Sequence, residues 1–85
     1  NYPNPFNPTT TIPFDIVNSD QVRLIIYNVK GEIVRTLLNS NLNPGSYEVR
    51  WNGRSDSGIN MSAGMYFIEL KGTNFRETNK IIYLK

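Results

Sequence analysis

The side chains of this 85-residue sequence best suited to acid–base chemistry are seven carboxylates: Asp15, Asp20, Glu32, Glu48, Asp56, Glu69 and Glu77. A glycosidase-like pair would need two of them facing one another about 5–10 Å apart across a cleft. Most instead fall at strand positions that alternation turns toward solvent, so solvated strand faces are the favoured reading. Six serines, Ser19, Ser40, Ser46, Ser55, Ser57 and Ser62, have no histidine to activate them, and no G-x-S-x-G elbow occurs. With neither His nor Cys in the chain, thiol nucleophiles, imidazole bases and ordinary zinc sites are absent as well. No catalytic, metal or cofactor site is expected, and the chain is read as a non-enzyme.

Two further groupings could bind rather than react. The segment N-G-R-S-D-S-G-I-N offers oxygens of Asn52, Asp56 and Asn60 to a calcium ion. It has one carboxylate and no tight calcium-loop spacing, so turn chemistry is favoured over a metal site. Tyr2, Tyr27, Tyr47, Trp51, Phe67 and Tyr83 could form a stacking platform for sugars or single strands, which requires several aromatics on one exposed face. They occur one or two per strand at core spacing, so core filling is favoured over a carbohydrate-binding face. The P-N-P-F-N-P run lacks a P-x-x-P frame with a flanking basic residue, which favours a lead-in strand over a ligand for a proline-reading domain.

These residues must be positioned by a small domain. The chain is 39% apolar and 19% charged, enough for one core and too apolar for a disordered tail. Nine basic and seven acidic residues are scattered without a run of like charge, so neither nucleic acid nor a membrane surface is an expected partner. No apolar stretch approaches the ~20 residues of a membrane span, and a chain opening at Asn1 without a leader reads as a fragment of a longer protein. Without cysteines, the redox compartment stays open.

Prolines 3, 5 and 8 make residues 1–8 a stiff, extended lead-in. T-T-T-I-P-F-D-I then alternates, with Ile12, Phe14 and Ile16 on one face and Pro13 marking an edge strand. Q-V-R-L-I-I-Y-N sets Val22, Leu24 and Ile26 against Arg23, Ile25 and Tyr27, a central strand. Val29, Lys30 and Gly31 turn it into E-I-V-R-T-L-L, where either Ile33/Leu37 or Val34/Leu38 faces inward. Asn43-Pro44-Gly45 has the residues of a type II turn that reverses the chain. S-Y-E-V-R-W-N places Tyr47, Val49 and Trp51 inward, with Trp51 at the core centre. The polar stretch from 52 to 64 should cross between sheets. A last hairpin through Gly72, Thr73 and Asn74 is expected to set Tyr66, Ile68 and Leu70 opposite Ile82 and Leu84. The prediction is an all-β, antiparallel, immunoglobulin-like β-sandwich of six or seven strands, one domain over residues 1–85 with the sandwich in 9–85.

The order of motifs is more specific than any one of them. Y-P-N-P-F-N-P at residues 2–8, T-x-I-x-F at 10–14, I-Y-N-x-x-G at 26–31, P-G-x-Y-x-x-x-W at 44–51, G-M-Y-F-I-E-L at 64–70 and K-I-I-Y-L-K at 80–85 follow in sequence. Together they closely resemble the type A C-terminal sorting domain of type IX secretion, over essentially the whole chain. The related Ig-like domain of flagellar hook-capping proteins shares much of the pattern. Two positions depart from the sorting family: Asn28 stands where it usually has Asp, and Asn52 where it often has Asp before Gly53.

That resemblance implies a sorting signal on the C-terminal side of a larger exported cargo protein. The cargo would reach the periplasm, be passed by the type IX outer-membrane translocon, and be secreted or attached to the cell surface by a sortase-like peptidase. Within this reading, recognition is expected from the lead-in residues Pro3, Asn4, Pro5, Phe6, Asn7 and Pro8, from the turn at Gly31, and from the terminal strand with Lys80 and Lys85. The alternative is a structural Ig-like or carbohydrate-binding module that tethers a neighbouring domain.

Overall fold

A computed structural model of the protein describes residues 9–84. Among these, six strands form: β1 (Thr10–Ile16), β2 (Asp20–Tyr27), β3 (Ile33–Leu42), β4 (Gly45–Trp51), β5 (Gly64–Lys71) and β6 (Arg76–Tyr83). They make a two-stranded sheet, β1-β4, packed over a four-stranded sheet in the order β3-β2-β5-β6, with every pairing antiparallel. The expected Ig-like sandwich is therefore present, with six strands among the described residues.

Strand alternation builds the core. Ile12 and Ile16 of β1, Val22, Leu24 and Ile26 of β2, and Tyr66, Ile68 and Leu70 of β5 all point between the sheets and are buried. Trp51 is fully buried at the end of β4 and packs edge-on against Tyr66, at 5.2 Å between ring centroids, and obliquely against Tyr83 at 5.1 Å. Its indole N–H donates to the Arg54 carbonyl at 2.9 Å, so the one polar atom of the largest core residue is satisfied. Tyr47 and Phe14 extend the core toward the far end as a stacked pair. β1 is an edge strand, as its proline suggested, in a two-stranded sheet with Pro13 opposite Glu48.

Three local expectations are corrected. The bend at Asn43 and Pro44 does not fold β4 back onto β3: it carries the chain from the four-stranded sheet to the two-stranded one. Gly45 has φ +155°, where a type II turn needs about +80°. β3 follows the Val34/Leu38 alternative, both residues packing in the core, but adds Leu37 to it. The β2–β3 register shifts twice, leaving Val34 and Leu37 as the extra residues, so Val34 is buried, Leu37 and Leu38 are both half-buried, and Ile33 is exposed.

The third correction concerns the last hairpin. Lys71 pairs with Arg76 and the Gly72 N–H donates to Phe75, so only Thr73 and Asn74 lie beyond the last bonded pair. A two-residue turn opposes even positions of β5 to odd positions of β6, whereas a three-residue turn would oppose even to even. Tyr66 thus faces Ile81 and Gly64 faces Tyr83, while Ile82 and Leu84 are 53% and 72% exposed. The long connection from β4 to β5 crosses between sheets as expected.

Candidate functional site

The turn at Gly31 is built by Asn28. Its side-chain oxygen accepts the N–H groups of Lys30 and Glu32 at 3.0 and 2.9 Å, and its amide nitrogen donates to the Glu32 carboxylate at 2.8 Å. The Asn28 N–H donates to the Glu32 carbonyl and its carbonyl accepts the Gly31 N–H, and Gly31 closes the turn at φ +84°, a left-handed conformation that favours glycine. The I-Y-N-x-x-G motif is a self-contained turn whose Asn satisfies backbone that the strands cannot.

Lys80 lies on β6, opposite Phe67, which in turn lies opposite Tyr27. All three project from the outer face of the four-stranded sheet, since their neighbours Ile26, Ile68 and Ile81 point inward. Antiparallel pairing brings the end of β2, the start of β5 and the end of β6 together, so Gly31 and Lys80, 49 residues apart, share one end of one face. The remaining expected recognition residues, Pro3 to Pro8 and Lys85, lie outside the described residues, as does Tyr2.

The same end of this face exposes apolar side chains: Val29 in the turn, Ile33 opposite Tyr27, and Met65 opposite Ile82. Tyr27 and Phe67 lie among them half-buried, so these two aromatics belong to the outer surface and not to the core. The other end is basic: Arg23 is opposite Lys71, which is opposite Arg76. Between the two ends, Glu69 accepts the Tyr27 hydroxyl at 2.9 Å and pairs with Arg76 at 3.1 Å. Burial, and then the bond to Glu69, raise the Tyr27 phenol above its ordinary value near 10.

None of the basic row was singled out from sequence, because Arg23, Lys71 and Arg76 are isolated along the chain. The signal was present in their outward positions on three strands, but it becomes a row only once strand order and register are known. Two other polar groupings have local structural jobs. Asp20 accepts the Thr73 hydroxyl at 2.6 Å, the Thr73 N–H at 2.9 Å and the Gln21 N–H at 2.8 Å, clamping the β5–β6 turn; these donors hold its carboxyl below the ordinary range.

In the 52–60 loop the Asn52 side chain accepts the Arg54 N–H, and Asp56 spans the edge of β3, its N–H donating to Val34 and its carboxylate accepting from Thr36. Ser55 and Ser57 bond to one another, and Arg54 bridges to Asn60. Turn and edge bonds therefore occupy the Asn52 side-chain oxygen and one Asp56 carboxylate oxygen, two of the groups considered for calcium. Among the described residues no group of three or more acidic side chains is placed to hold a metal ion.

Two packed antiparallel sheets with this strand order define an immunoglobulin-like sandwich whose distinctive surface is a sheet face, not a cleft. The FlgD Ig-like domain family matches residues 9–75, and the chain belongs to that family, one of non-enzymatic structural domains. The crystal structure of FlgD from P. aeruginosa is similar, with a TM-score of 0.70 and 25% identity over 88% of this chain and 58% of that one. The chain thus spans a little over half the length of that protein. No curated protein matches it.

Proposed function

We propose that this Ig-like domain is a non-catalytic sorting signal of the type A C-terminal kind, read on a larger cargo protein by the type IX outer-membrane translocon. On this reading the cargo crosses the periplasm and is secreted or fixed to the cell surface, with a sortase-like peptidase acting on it. The observation that carries the proposal is the convergence of its ordered motifs. I-Y-N-x-x-G forms the Asn28 turn, G-M-Y-F-I-E-L forms β5 and K-I-I-Y-L-K contains the end of β6, so three segments distant in sequence meet at one end of one exposed face. A signal read as a folded surface needs such a convergence.

The test is a fusion of residues 1–85 to a periplasmic reporter in a strain with a working type IX system. The reporter is expected in the medium or on the cell surface, and at the same site only when the system is intact. A reporter retained in the periplasm of the competent strain overturns the proposal. The family match favours a second reading, a structural Ig-like module that spaces or tethers its neighbours. It predicts no export of the reporter and no loss when the outer-face residues are changed.

A further inference from the structure

We infer that the outer face of the β3-β2-β5-β6 sheet is a docking surface for a protein segment that presents carboxylates at one end and an apolar side chain at the other. The inference rests on the reading of this domain as a surface recognised by another protein.

Cations outnumber acids on this face in a way that folding alone does not favour. Arg23, Lys71 and Arg76 stand directly opposite one another across three adjacent strands, and Lys80 adds a fourth cation on β6. Like charges directly opposite in a sheet are destabilising. Glu69 is the one acid on this face among the described β2, β5 and β6 positions; it already pairs with Arg76 and accepts from Tyr27, which leaves Arg23, Lys71 and Lys80 without a carboxylate partner among the described residues. An acidic occupant supplies what the sheet lacks.

The apolar end narrows the class of occupant. Val29, Ile33, Met65 and Ile82 are 65%, 58%, 41% and 53% exposed around Tyr27 and Phe67. Arg, Tyr, Phe and Met beside aliphatic side chains is the composition of a protein–protein interface, whereas a polysaccharide or nucleic acid would leave the aliphatic end uncovered. The geometry sets a spacing. Strands lie about 4.8 Å apart and rise about 3.4 Å per residue, so the basic row is roughly 10 Å wide and lies roughly 13 Å from the Tyr27-Phe67-Lys80 row. An extended segment meets both when its apolar group lies about four positions from its nearest carboxylate, with about three residues between them.

Two double variants separate the ends: Arg23→Gln with Lys71→Gln, and Met65→Ser with Ile82→Ser, each first shown to be folded by circular dichroism. In the reporter fusion, each is expected to cut export tenfold or more. If wild type is exported and both variants are exported equally well, the docking surface is overturned and the sorting reading stands.

If wild type is not exported, the sorting reading falls, and binding in solution decides the docking surface. The probe is a fluorescent octapeptide with three carboxylates, a Ser-Gly-Ser spacer and a Phe-Leu pair, compared with its amide analogue and with heparin. The expected result is a peptide affinity at least tenfold lower in either variant and for the amide analogue. Peptide binding that neither variant changes, or tighter heparin binding that only the basic pair affects, overturns the inference; the latter marks a plain polyanion surface.

Discussion

Tyr83 packs against Gly53 so closely that its phenol occupies the space a Cβ at that position would need. Gly53 also holds φ +77°, in the left-handed region, and follows the core residue Trp51 by two positions, so the W-N-G sequence serves one packing site. Gly53→Ala should cost about 1–2 kcal/mol in backbone strain and roughly 1–3 kcal/mol in overpacking. Gly58 has a similar φ of +85° but open space around it, so Gly58→Ala should cost only the backbone part, about 1 kcal/mol. Thermal unfolding of the two variants should differ by roughly 10 °C. Equal melting temperatures would show that Tyr83 does not press on this glycine.

Asp20 and Tyr27 give the domain opposite pH limbs. Donors from Thr73 stabilise the ionised form of Asp20, so the folded state binds fewer protons than the unfolded chain near the carboxylate range. Its contribution is present above about pH 4 and is lost as pH falls through the lowered folded value. Tyr27 is raised, first by burial and then by Glu69, so its contribution is present below about pH 10 and is lost as pH rises through the folded value. Melting curves across pH should show the wild-type advantage over Asp20→Asn shrinking in acid, and that over Tyr27→Phe shrinking in alkali. A constant gap at either end contradicts the corresponding assignment.

Asn28 makes a comparison of three variants informative. Asn28→Ala removes two acceptor bonds and one donor bond from an exposed turn and should cost roughly 1 kcal/mol or slightly more, a fall of about 4–8 °C in melting temperature. Asn28→Asp keeps both acceptor bonds but sets a carboxylate against that of Glu32. It should melt between wild type and Asn28→Ala, and adding Glu32→Gln should restore it. Failure of that second change to restore stability would locate the loss elsewhere.

The core of β1, β2 and β4 was legible because alternation there is unbroken: Ile12, Val22, Leu24, Ile26 and Trp51 point where period two puts them. β3 was legible only as two alternatives, of which Val34/Leu38 holds; its two bulges at Val34 and Leu37 bring Leu37 in as well, and bulges carry no residue signature here. β6 failed for a different reason. I-I-Y-L is apolar in both parities, so only the length of the Thr73-Asn74 turn selects Tyr83 over Ile82. The candidate surface was half legible. Its turn and Lys80 lie in recognisable motifs, whereas the Arg23-Lys71-Arg76 row exists only in the assembled sheet.

That assignment of β6 is open to direct measurement. Ile82→Ser should change stability by less than about 0.5 kcal/mol, as expected for an exposed position, whereas Tyr83→Ala should cost roughly 3–5 kcal/mol. Denaturant titration distinguishes these, and a larger loss at position 82 than at 83 would restore the other register.

Asp56 is the last residue whose role the fold redefines. Its N–H reaches the Val34 carbonyl at 2.9 Å and its carboxylate takes the Thr36 N–H at 3.1 Å, at the place where the bulge frees β3 backbone. It therefore acts as a short surrogate strand that blunts the edge. Asp56→Ala keeps the backbone bond but loses the carboxylate, and should cost about 1 kcal/mol. It should also give concentration-dependent dimers on size-exclusion chromatography as the Thr36 N–H seeks another acceptor. The same geometry predicts that millimolar calcium, compared with a chelator, leaves the wild-type melting temperature unchanged, because the Asp56 carboxylate is engaged and its loop supplies no second one. A calcium-induced rise that Asp56→Ala abolishes would instead make this loop a cation site, with the edge bond as its resting state.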